Sequence, residues 1–402
     1  MNALLPLFTA TPEGGFHRAA NILAAARSLA PRLNQLRSLD RRQVSAAMTT
    51  MFGASDAEGA WSWRDAYDAI EAALVIQLRR LGPQLSRLED APVETLSLLE
   101  TLSELTLTHS RRSEEQIALD QFSTPPQLGA LAVLAGQVRA GDAVLEPSAG
   151  TGLLAVLAEA CEASLSLNEI SAGRFALLEG LFPRANRSQH DARHLRDILP
   201  SSGAFDVVLA NPPFQQLEVH LQSAIDCLAE GGRLSAIVPA RLLDDPGALA
   251  ALARRGAVRL RLAFHPRAYA RHGTSVETGL LVVDRQPPST VLPPLVAAET
   301  LAEAALAAAD VGERATARPR PFRAAPALGA AAPRVRTNAA PARRLAFLAD
   351  AAPLDYETIP WSGEGRLAAA HRDGDQFIVR SPLHVAAPVT RIDGKAGPPN
   401  LT

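Results

Sequence analysis

The 402-residue sequence has few of the residues that several common classes of protein depend on. It has only two cysteines, Cys161 and Cys227, which lie in apolar helical patterns. We therefore expect two small core residues and neither a disulfide framework nor a cysteine-based zinc site. No apolar run approaches the roughly 18 residues that a membrane span requires, and the N-terminus lacks the pattern of a secretory signal. These absences predict a soluble, cytoplasmic protein without a membrane partner.

Charge and phosphate-binding motifs are also sparse. The formal net charge is −2, so the chain as a whole does not attract nucleic acid, and any such binding must come from a local patch. No GxxxxGK[ST] motif occurs, which disfavours a nucleoside triphosphatase.

The periodicity of apolar residues divides the chain into four regions. Helical spacing in residues 1–119 predicts an all-α N-terminal domain of four or five helices. In residues 120–285 short apolar runs alternate with helical stretches, which predicts a doubly wound, mostly parallel α/β sheet whose last two strands pair antiparallel at one end. Residues 286–345, rich in Ala, Pro and Arg, indicate a linker, either a solvated spacer or a nucleic-acid-binding tail. Residues 346–402 have the short apolar runs of a small strand-containing segment, but too few of them to bury a core alone.

The first candidate site is the segment AVLEPSAGTGLLAVLAE, a strand followed by a glycine turn and a helix. Glycines let a ligand approach the backbone, and the amide groups of the helix start can meet a polar group. The same turn can also serve merely to connect a strand to a helix. The candidate residues are Glu146, Pro147, Ser148, Ala149, Gly150 and Gly152.

Two acids follow the glycine turn at informative positions. Glu169 ends the next apolar run, about 20 residues on, where an acid can hold the two hydroxyls of a nucleoside ribose. It can equally stabilise the N-terminus of a helix. Asp191 can cap the next helix or accept a hydrogen bond from an adenine amino group.

The segment FDVVLANPPF places Asn211, Pro212, Pro213 and Phe214 at the carboxyl end of a buried strand, where α/β sheets bind ligands. A ring-conjugated amino group becomes nucleophilic when fixed carbonyl groups accept both N–H bonds. The side-chain oxygen of Asn211 and the backbone carbonyl of Pro212 can do this while Phe214 stacks on the substrate. The alternative is a plain turn after a strand.

Two further segments flank these motifs. QFSTPPQLG has Ser123 or Thr124 as a candidate N-cap with proline at the first helical position, and also fits a lid over a bound cofactor. The loop containing His272, Gly273 and Thr274 lies between the last two strands, where a solvated histidine is the simpler interpretation.

Taken together, Phe122 to Pro126, Glu146 to Gly152, Glu169, Asp191 and Asn211 to Phe214 resemble the S-adenosylmethionine-dependent amino-methyltransferases. The order of STPP before the glycine loop and NPPF after it resembles the N6-adenine DNA methyltransferases. A further resemblance is carried by the strings AAMTTMFGASDAEGAWSWRDAYDAIEAA, RRSEEQIALDQFSTPPQLG, VLEPSAGTGLLAVLAE and YARHGTSVET. Over roughly residues 41–285, which contain them, the chain is similar to the methyltransferase portion of bacterial strawberry notch-like proteins, which are mobile-element methylase/helicase fusions. The helicase of that family is missing here, and residues 346–402 resemble at best the segment that joins the two parts.

The resemblance implies a Rossmann-like methyltransferase domain that binds S-adenosyl-L-methionine without a metal. Phe122 and Thr124 would contact the cofactor, the glycine loop would hold its methionine part, and Glu169 and Asp191 would bind ribose and adenine. Asn211 to Phe214 would receive the substrate amine, with N6 of adenine in DNA as the expected acceptor. The alternatives are an RNA adenine or guanine, a protein glutamine amide, or a non-catalytic DNA-binding module that supports a separately encoded helicase.

Overall fold

The structure of the protein is a computed structural model. It describes residues 12–107, 123–199, 203–264, 277–287, 289, 291–315, 369–373 and 376–380. Three predictions made from the sequence lie outside these residues: the cofactor contact of Phe122, the loop of His272 to Thr274, and the Arg-rich stretch from 316 to 345.

The N-terminal region is helical, as its periodicity predicts. Its described part contains α1 (Pro12–Asn34), α2 (Arg41–Phe52), α3 (Trp63–Arg80), α4 (Gly82–Leu85) and α5 (Pro92–Glu104). Two of these helices begin at capping boxes, Asp40 with Gln43 on α2 and Ser62 with Asp65 on α3. In each box two backbone N–H groups of the first turn find acceptors, which fixes where the helix begins.

From residue 126 onward helices and strands alternate. The helices are α6 (Pro126–Gly136), α7 (Leu153–Ala160), α8 (Ala172–Leu181), α9 (Leu195–Ile198), α10 (Leu217–Cys227), α11 (Pro246–Ala253) and α12 (Leu301–Ala309). The strands are β1 (Ala143–Glu146), β2 (Ser164–Asn168), β3 (Asn186–Ser188), β4 (Phe205–Ala210), β5 (Leu228–Pro239), β6 (Ala257–Phe264), β7 (Thr278–Asp284) and β8 (Leu295–Ala298). A separate antiparallel pair joins β9 (Ala369–Asp373) and β10 (Gln376–Arg380).

The eight strands form one sheet in the order β3-β2-β1-β4-β5-β7-β6-β8. Strands β1 to β5 pair parallel, and β7 pairs antiparallel with both β5 and β6. The predicted Rossmann-like, doubly wound and mostly parallel sheet is thus confirmed, and so is the antiparallel pairing of its last two predicted strands. That pair is not the edge of the sheet, because β8 continues it in parallel with β6.

Both faces of the sheet are covered, which explains why its strands read as continuous apolar runs. Val207 and Leu209 of β4 face one hydrophobic core, and the alternate residues Val208 and Ala210 face the other. The first core also contains the buried residues of α1 to α5, so the helical N-terminal region and the sheet share one apolar interior.

The predicted linker is corrected over part of its length, because β8 and α12 lie within residues 291–315. Thr300 begins α12 with a capping box to Glu303, and Ala304, Ala305 and Ala308 are buried in the first core. Arg314 is also buried, and its guanidinium lies 2.5 Å from the Asp142 carboxylate. Composition alone missed this element because an alanine-rich helix and an alanine-rich spacer look alike.

The strand order reverses at β1, since the chain continues to β2 on one side while β4 pairs on the other. Ligands of open α/β sheets bind outside the carboxyl ends of the strands at such a switch point. The loops after β1 and β4, which carry Glu146 to Gly152 and Asn211 to Phe214, meet at this point. No helix among the described residues is long and apolar enough to cross a membrane.

Candidate active site

A cavity of about 200 Å³ lies at the carboxyl ends of the parallel strands. It brings together ten of the fourteen residues predicted from the sequence: Thr124, Glu146, Pro147, Ser148, Ala149, Gly150, Glu169, Asp191, Asn211 and Pro213. Gly152, Pro212 and Phe214 do not line the cavity, although the residues on both sides of each of them do.

The two glycines of the first loop are required by its backbone. Gly150 and Gly152 have φ of 56° and 88°, in the left-handed region that side chains disfavour. A β-carbon on Gly152 would lie 2.2 Å from Cε2 of Phe182, so this position has no space for one either. Gly152 therefore shapes the turn and begins α7, and Gly150 lines the cavity.

Glu169 fixes the glycine loop from the neighbouring strand. One carboxylate oxygen accepts a hydrogen bond of 2.8 Å from the Gly150 N–H, and the other accepts one of 2.7 Å from the Ser171 N–H. The side chain is buried and lines the cavity. Its position fits both interpretations made from the sequence, an acid at the start of a helix and an acid facing a ligand.

Asn168, which sequence reasoning missed, ties three strand ends together. Its amide nitrogen donates to the backbone carbonyls of Pro147 and His190, each at 2.9 Å. Its amide oxygen accepts from the Ser188 hydroxyl at 2.9 Å and the His190 N–H at 3.0 Å. The loops after β1 and β3 are thereby held at fixed positions around β2.

Glu146 is a buried carboxyl group at the end of β1. Burial raises the pKa of its carboxyl well above the ordinary value, and the nearby charge of Glu169 adds to the rise. Its Oε2 atom is buried and has no hydrogen-bond partner among the described residues. A buried polar atom without a partner is uncommon, and at a cavity it indicates a place for a hydrogen-bonding group of a ligand.

Asp191 forms both a cap and an ion pair. Its side chain accepts from the Arg193 N–H at 3.0 Å, which starts a 3₁₀ turn at Ala192, and it also pairs with the Arg193 guanidinium. These hydrogen bonds lower the pKa of the carboxyl to about 2. The capping role predicted for Asp191 is thus present, and the carboxylate that could meet an adenine also lines the cavity.

The NPPF loop and the upstream STPP segment are in direct contact. The Asn211 amide nitrogen donates to the Thr124 hydroxyl at 3.0 Å. The predicted N-cap role of Ser123 or Thr124 is wrong, since Pro125 is the N-cap of α6 and no side chain caps it. Both hydroxyls are engaged elsewhere: that of Thr124 orients Asn211, and that of Ser123 donates to Glu71.

The residues that sequence reasoning did not assign to the site include Glu71 and Arg174, which line the cavity. Glu71 lies on α3 of the N-terminal region. The one sequence signal for it is that a charged residue stands next to the apolar run AALVI in WRDAYDAIEAALVIQ. Besides Glu146, whose raised pKa favours its neutral form, three carboxyl groups and two guanidinium groups of the described residues line the cavity, so its charge favours a cationic ligand.

No group of three or more His, Cys, Asp or Glu side chains in the described parts of the chain is arranged to hold a metal ion.

Comparison with known proteins gives matches among solved structures only. No protein-family model and no curated protein matches the chain. A Listeria monocytogenes protein assigned to the class I S-adenosylmethionine-dependent methyltransferases is 13% identical, with 73% of this chain and 98% of that chain covered and a TM-score of 0.41. A Pyrococcus horikoshii protein assigned as an RNA methyltransferase is 16% identical, with 48% and 98% covered and a TM-score of 0.36.

TrmN from Thermus thermophilus is 23% identical, with 40% of this chain covered and a TM-score of 0.32. This chain spans 49% of the length of TrmN. At these identities and scores the three similarities concern the fold alone, and no reaction is carried over from them.

Proposed function

We propose that this chain is an S-adenosylmethionine-dependent methyltransferase that acts on an exocyclic amine, N6 of adenine in DNA. The observation that carries the proposal is the contact between Thr124 and Asn211 at the switch point of the sheet. It fixes the amide whose oxygen would accept an N–H bond of the substrate, in the same cavity as the glycine loop and Glu169.

The residues of the cavity fit this cofactor. The unpartnered Oε2 of Glu146 calls for a hydrogen-bond partner, and the excess of carboxyl groups suits a ligand with a positive charge. Glu169 at the end of β2 would accept the ribose hydroxyls, Asp191 at the loop after β3 would face the adenine, and Ser148 and Gly150 would border the methionine part. When bound, S-adenosylmethionine supplies a methyl group that is already activated by its sulfonium.

The chemistry left to the protein is positioning of the acceptor amine. The side-chain oxygen of Asn211 and the carbonyl of Pro212 would accept its two N–H bonds, which makes the nitrogen lone pair available for in-line attack. The Asn211 amide nitrogen donates to the Thr124 hydroxyl, which sets the orientation of the amide whose oxygen would accept the substrate N–H bond. Phe214 would stack on the flat base once it is flipped from a duplex.

DNA adenine is proposed as the acceptor because STPP lies upstream of the glycine loop and NPPF downstream of it, the order of the N6-adenine DNA methyltransferases that the chain resembles. The hydrogen bond from Asn211 to Thr124 joins the two segments. The similarity of residues 41–285 to the methyltransferase portion of strawberry notch-like proteins supports the same acceptor and a separately encoded helicase as partner.

The test is transfer of isotopically labelled methyl groups to adenine-unmodified duplex DNA, single-stranded DNA, RNA and total protein, with mass spectrometry of the product. We expect label in N6-methyladenine of DNA and a loss of about 100-fold or more in Asn211→Ala, the size seen when one fixed polar group of an active site is removed. Asn186→Ala, an exposed asparagine on β3 outside the cavity, is the matched control. Label in RNA or protein alone would show that DNA adenine is not the acceptor. Cofactor binding without methyl transfer to any acceptor would contradict the proposed methyltransferase activity.

A further inference from the structure

The helical N-terminal region contributes a side chain to the cavity. Glu71 lies in the middle of α3, 5% of it is exposed, and it lines the cavity beside the glycine loop. A carboxyl group is almost never so deeply buried unless it is paired. Its location in the region that precedes the sheet adds to the site a residue that lies outside the motifs from which the site was predicted.

Glu71 joins the segment before α6 to the loop after β1. One carboxylate oxygen accepts from the Ser123 hydroxyl, and the other accepts from the Thr151 hydroxyl at 2.7 Å. Thr151 lies between the two glycines of the loop, and Ser123 precedes the threonine that holds Asn211. The carboxylate is therefore anchored where the loop after β1 meets the segment before α6.

A buried guanidinium faces the same loop. Arg174 of α8 donates from Nε to Asp68 at 3.1 Å, and its Nη2 lies 3.0 Å from the same carboxylate oxygen. Its Nη1 is directed toward Gly150: a β-carbon added at Gly150 would lie 3.7 Å from it. Asp68 lies one turn before Glu71 on α3, so one helix supplies both an acid that lines the cavity and the acid that holds this base.

The order of the strands locates these two groups along a nucleoside ligand. Asp191 follows β3, Glu169 follows β2, and the glycine loop follows β1, so a ligand with adenine and ribose at the first two positions directs its remaining part over the third. Glu71 and Arg174 both border that third position. They present one negative and one positive group, which is the complement of an amino-acid zwitterion.

On the basis of the function proposed above, we infer that Glu71 and Arg174 bind the amino-acid end of the cofactor, with Glu71 accepting from the α-ammonium group and Arg174 donating to the α-carboxylate. A carboxylate accepts about four hydrogen bonds, so the hydroxyls of Ser123 and Thr151 are compatible with an ammonium donor. The helical N-terminal region is thereby part of the cofactor site.

The test compares two ligands that differ only in this end of the molecule. S-adenosylhomocysteine has the amino-acid group, and 5′-methylthioadenosine has a methyl group in its place. By calorimetry we expect the wild-type chain to bind S-adenosylhomocysteine more tightly. In Glu71→Gln we expect that preference to fall about tenfold or more, with the affinity for 5′-methylthioadenosine within about twofold of wild type.

Glu159→Gln is the matched control. Glu159 on α7 pairs with Arg79 on α3 at 2.7 Å, so its removal breaks an ion pair between α3 and the helix after the glycine loop without touching the cavity. We expect its ligand preference to equal that of wild type. Melting temperatures of both variants establish that they are folded.

The outcomes separate the inference from the function on which it rests. If both ligands bind the wild type with equal affinity, or if Glu71→Gln weakens both equally, the inference is overturned while the cofactor site stands. If neither ligand binds, both are overturned. Should Glu71→Gln not fold, wild-type binding of the deaminated analogue of S-adenosylhomocysteine decides: a loss of about tenfold supports the ammonium contact, and unchanged affinity contradicts it.

Discussion

Two buried groups of charged side chains lie at opposite ends of the parallel strands, and they are built differently. At the amino ends Arg233 and Asp284 are fully buried and pair twice, at 2.6 and 3.0 Å, and Arg259 adds a contact of 2.9 Å to the same carboxylate. At the carboxyl ends carboxyl groups outnumber guanidinium groups, and they surround a cavity.

The difference separates stability from binding. The amino-end cluster closes on itself: Arg233 also donates to the backbone carbonyls of Ala135 and Gly312, so each part of its guanidinium has an acceptor. The carboxyl-end cluster contains Glu146, whose Oε2 has no partner in the described parts of the chain. Substitutions at the first should therefore chiefly change unfolding, and substitutions at the second should chiefly change ligand affinity.

The largest effect on stability is expected from Asp284→Ala. Removing one partner of a buried ion pair leaves the Arg233 charge uncompensated, which costs about 3–5 kcal/mol. Denaturant unfolding would show this loss, while the folded fraction would bind ligand with wild-type affinity. A loss below about 1 kcal/mol, the range of surface pairs, would mean that the amino-end cluster does not stabilise the fold as its geometry indicates.

Gly152→Ala should have the next largest effect, and it should act on both properties. The positive φ costs about 1–2 kcal/mol for a residue with a side chain, and the overlap with Phe182 adds to this cost. Gly59→Ala is the control, because Gly59 has φ of 77° but open space around its β-carbon position. Equal losses of unfolding free energy in the two variants would show that Phe182 adjusts without cost.

Glu146→Gln should have a smaller, pH-dependent effect. Because the pKa of the buried carboxyl is raised, the folded state binds its proton more strongly than the unfolded state, and stability falls as pH rises. The Gln variant lacks this penalty, so its stability advantage should be largest at alkaline pH and shrink as pH falls through the raised pKa. An advantage that is the same from pH 5 to pH 9 would contradict the burial argument.

The smallest effect is expected from Glu159→Gln, because Arg79 and Glu159 are more than a third exposed on their side chains. Such pairs contribute about 0–1 kcal/mol, and less at high salt. Urea unfolding at low and high salt measures it. A loss above about 2 kcal/mol would require a structural role for this pair that its exposure does not indicate.

The sequence predicted the sheet and most of the cavity because both depend on local patterns. Gly150, Glu169 and Asn211 each follow an apolar strand, and parallel strands bring their carboxyl ends to one edge. The strand β8 and helix α12 were missed because alanine and proline dominate their surroundings. Glu71 and Arg174 could not be predicted, since their approach to the loop depends on how α3 packs on α7 and α8 across the shared core.

The central claim is that the carboxyl-end cavity binds S-adenosylmethionine, and calorimetric titration of that cofactor tests it most directly. Glu169→Gln should weaken binding at least tenfold, because an amide cannot accept from the Gly150 and Ser171 N–H groups together and also hold the ribose. Glu159→Gln, outside the cavity, should bind as the wild type does. Saturable one-to-one binding with this contrast is the predicted result. Absence of binding to the wild-type chain, or equal affinity in Glu169→Gln, would contradict the account.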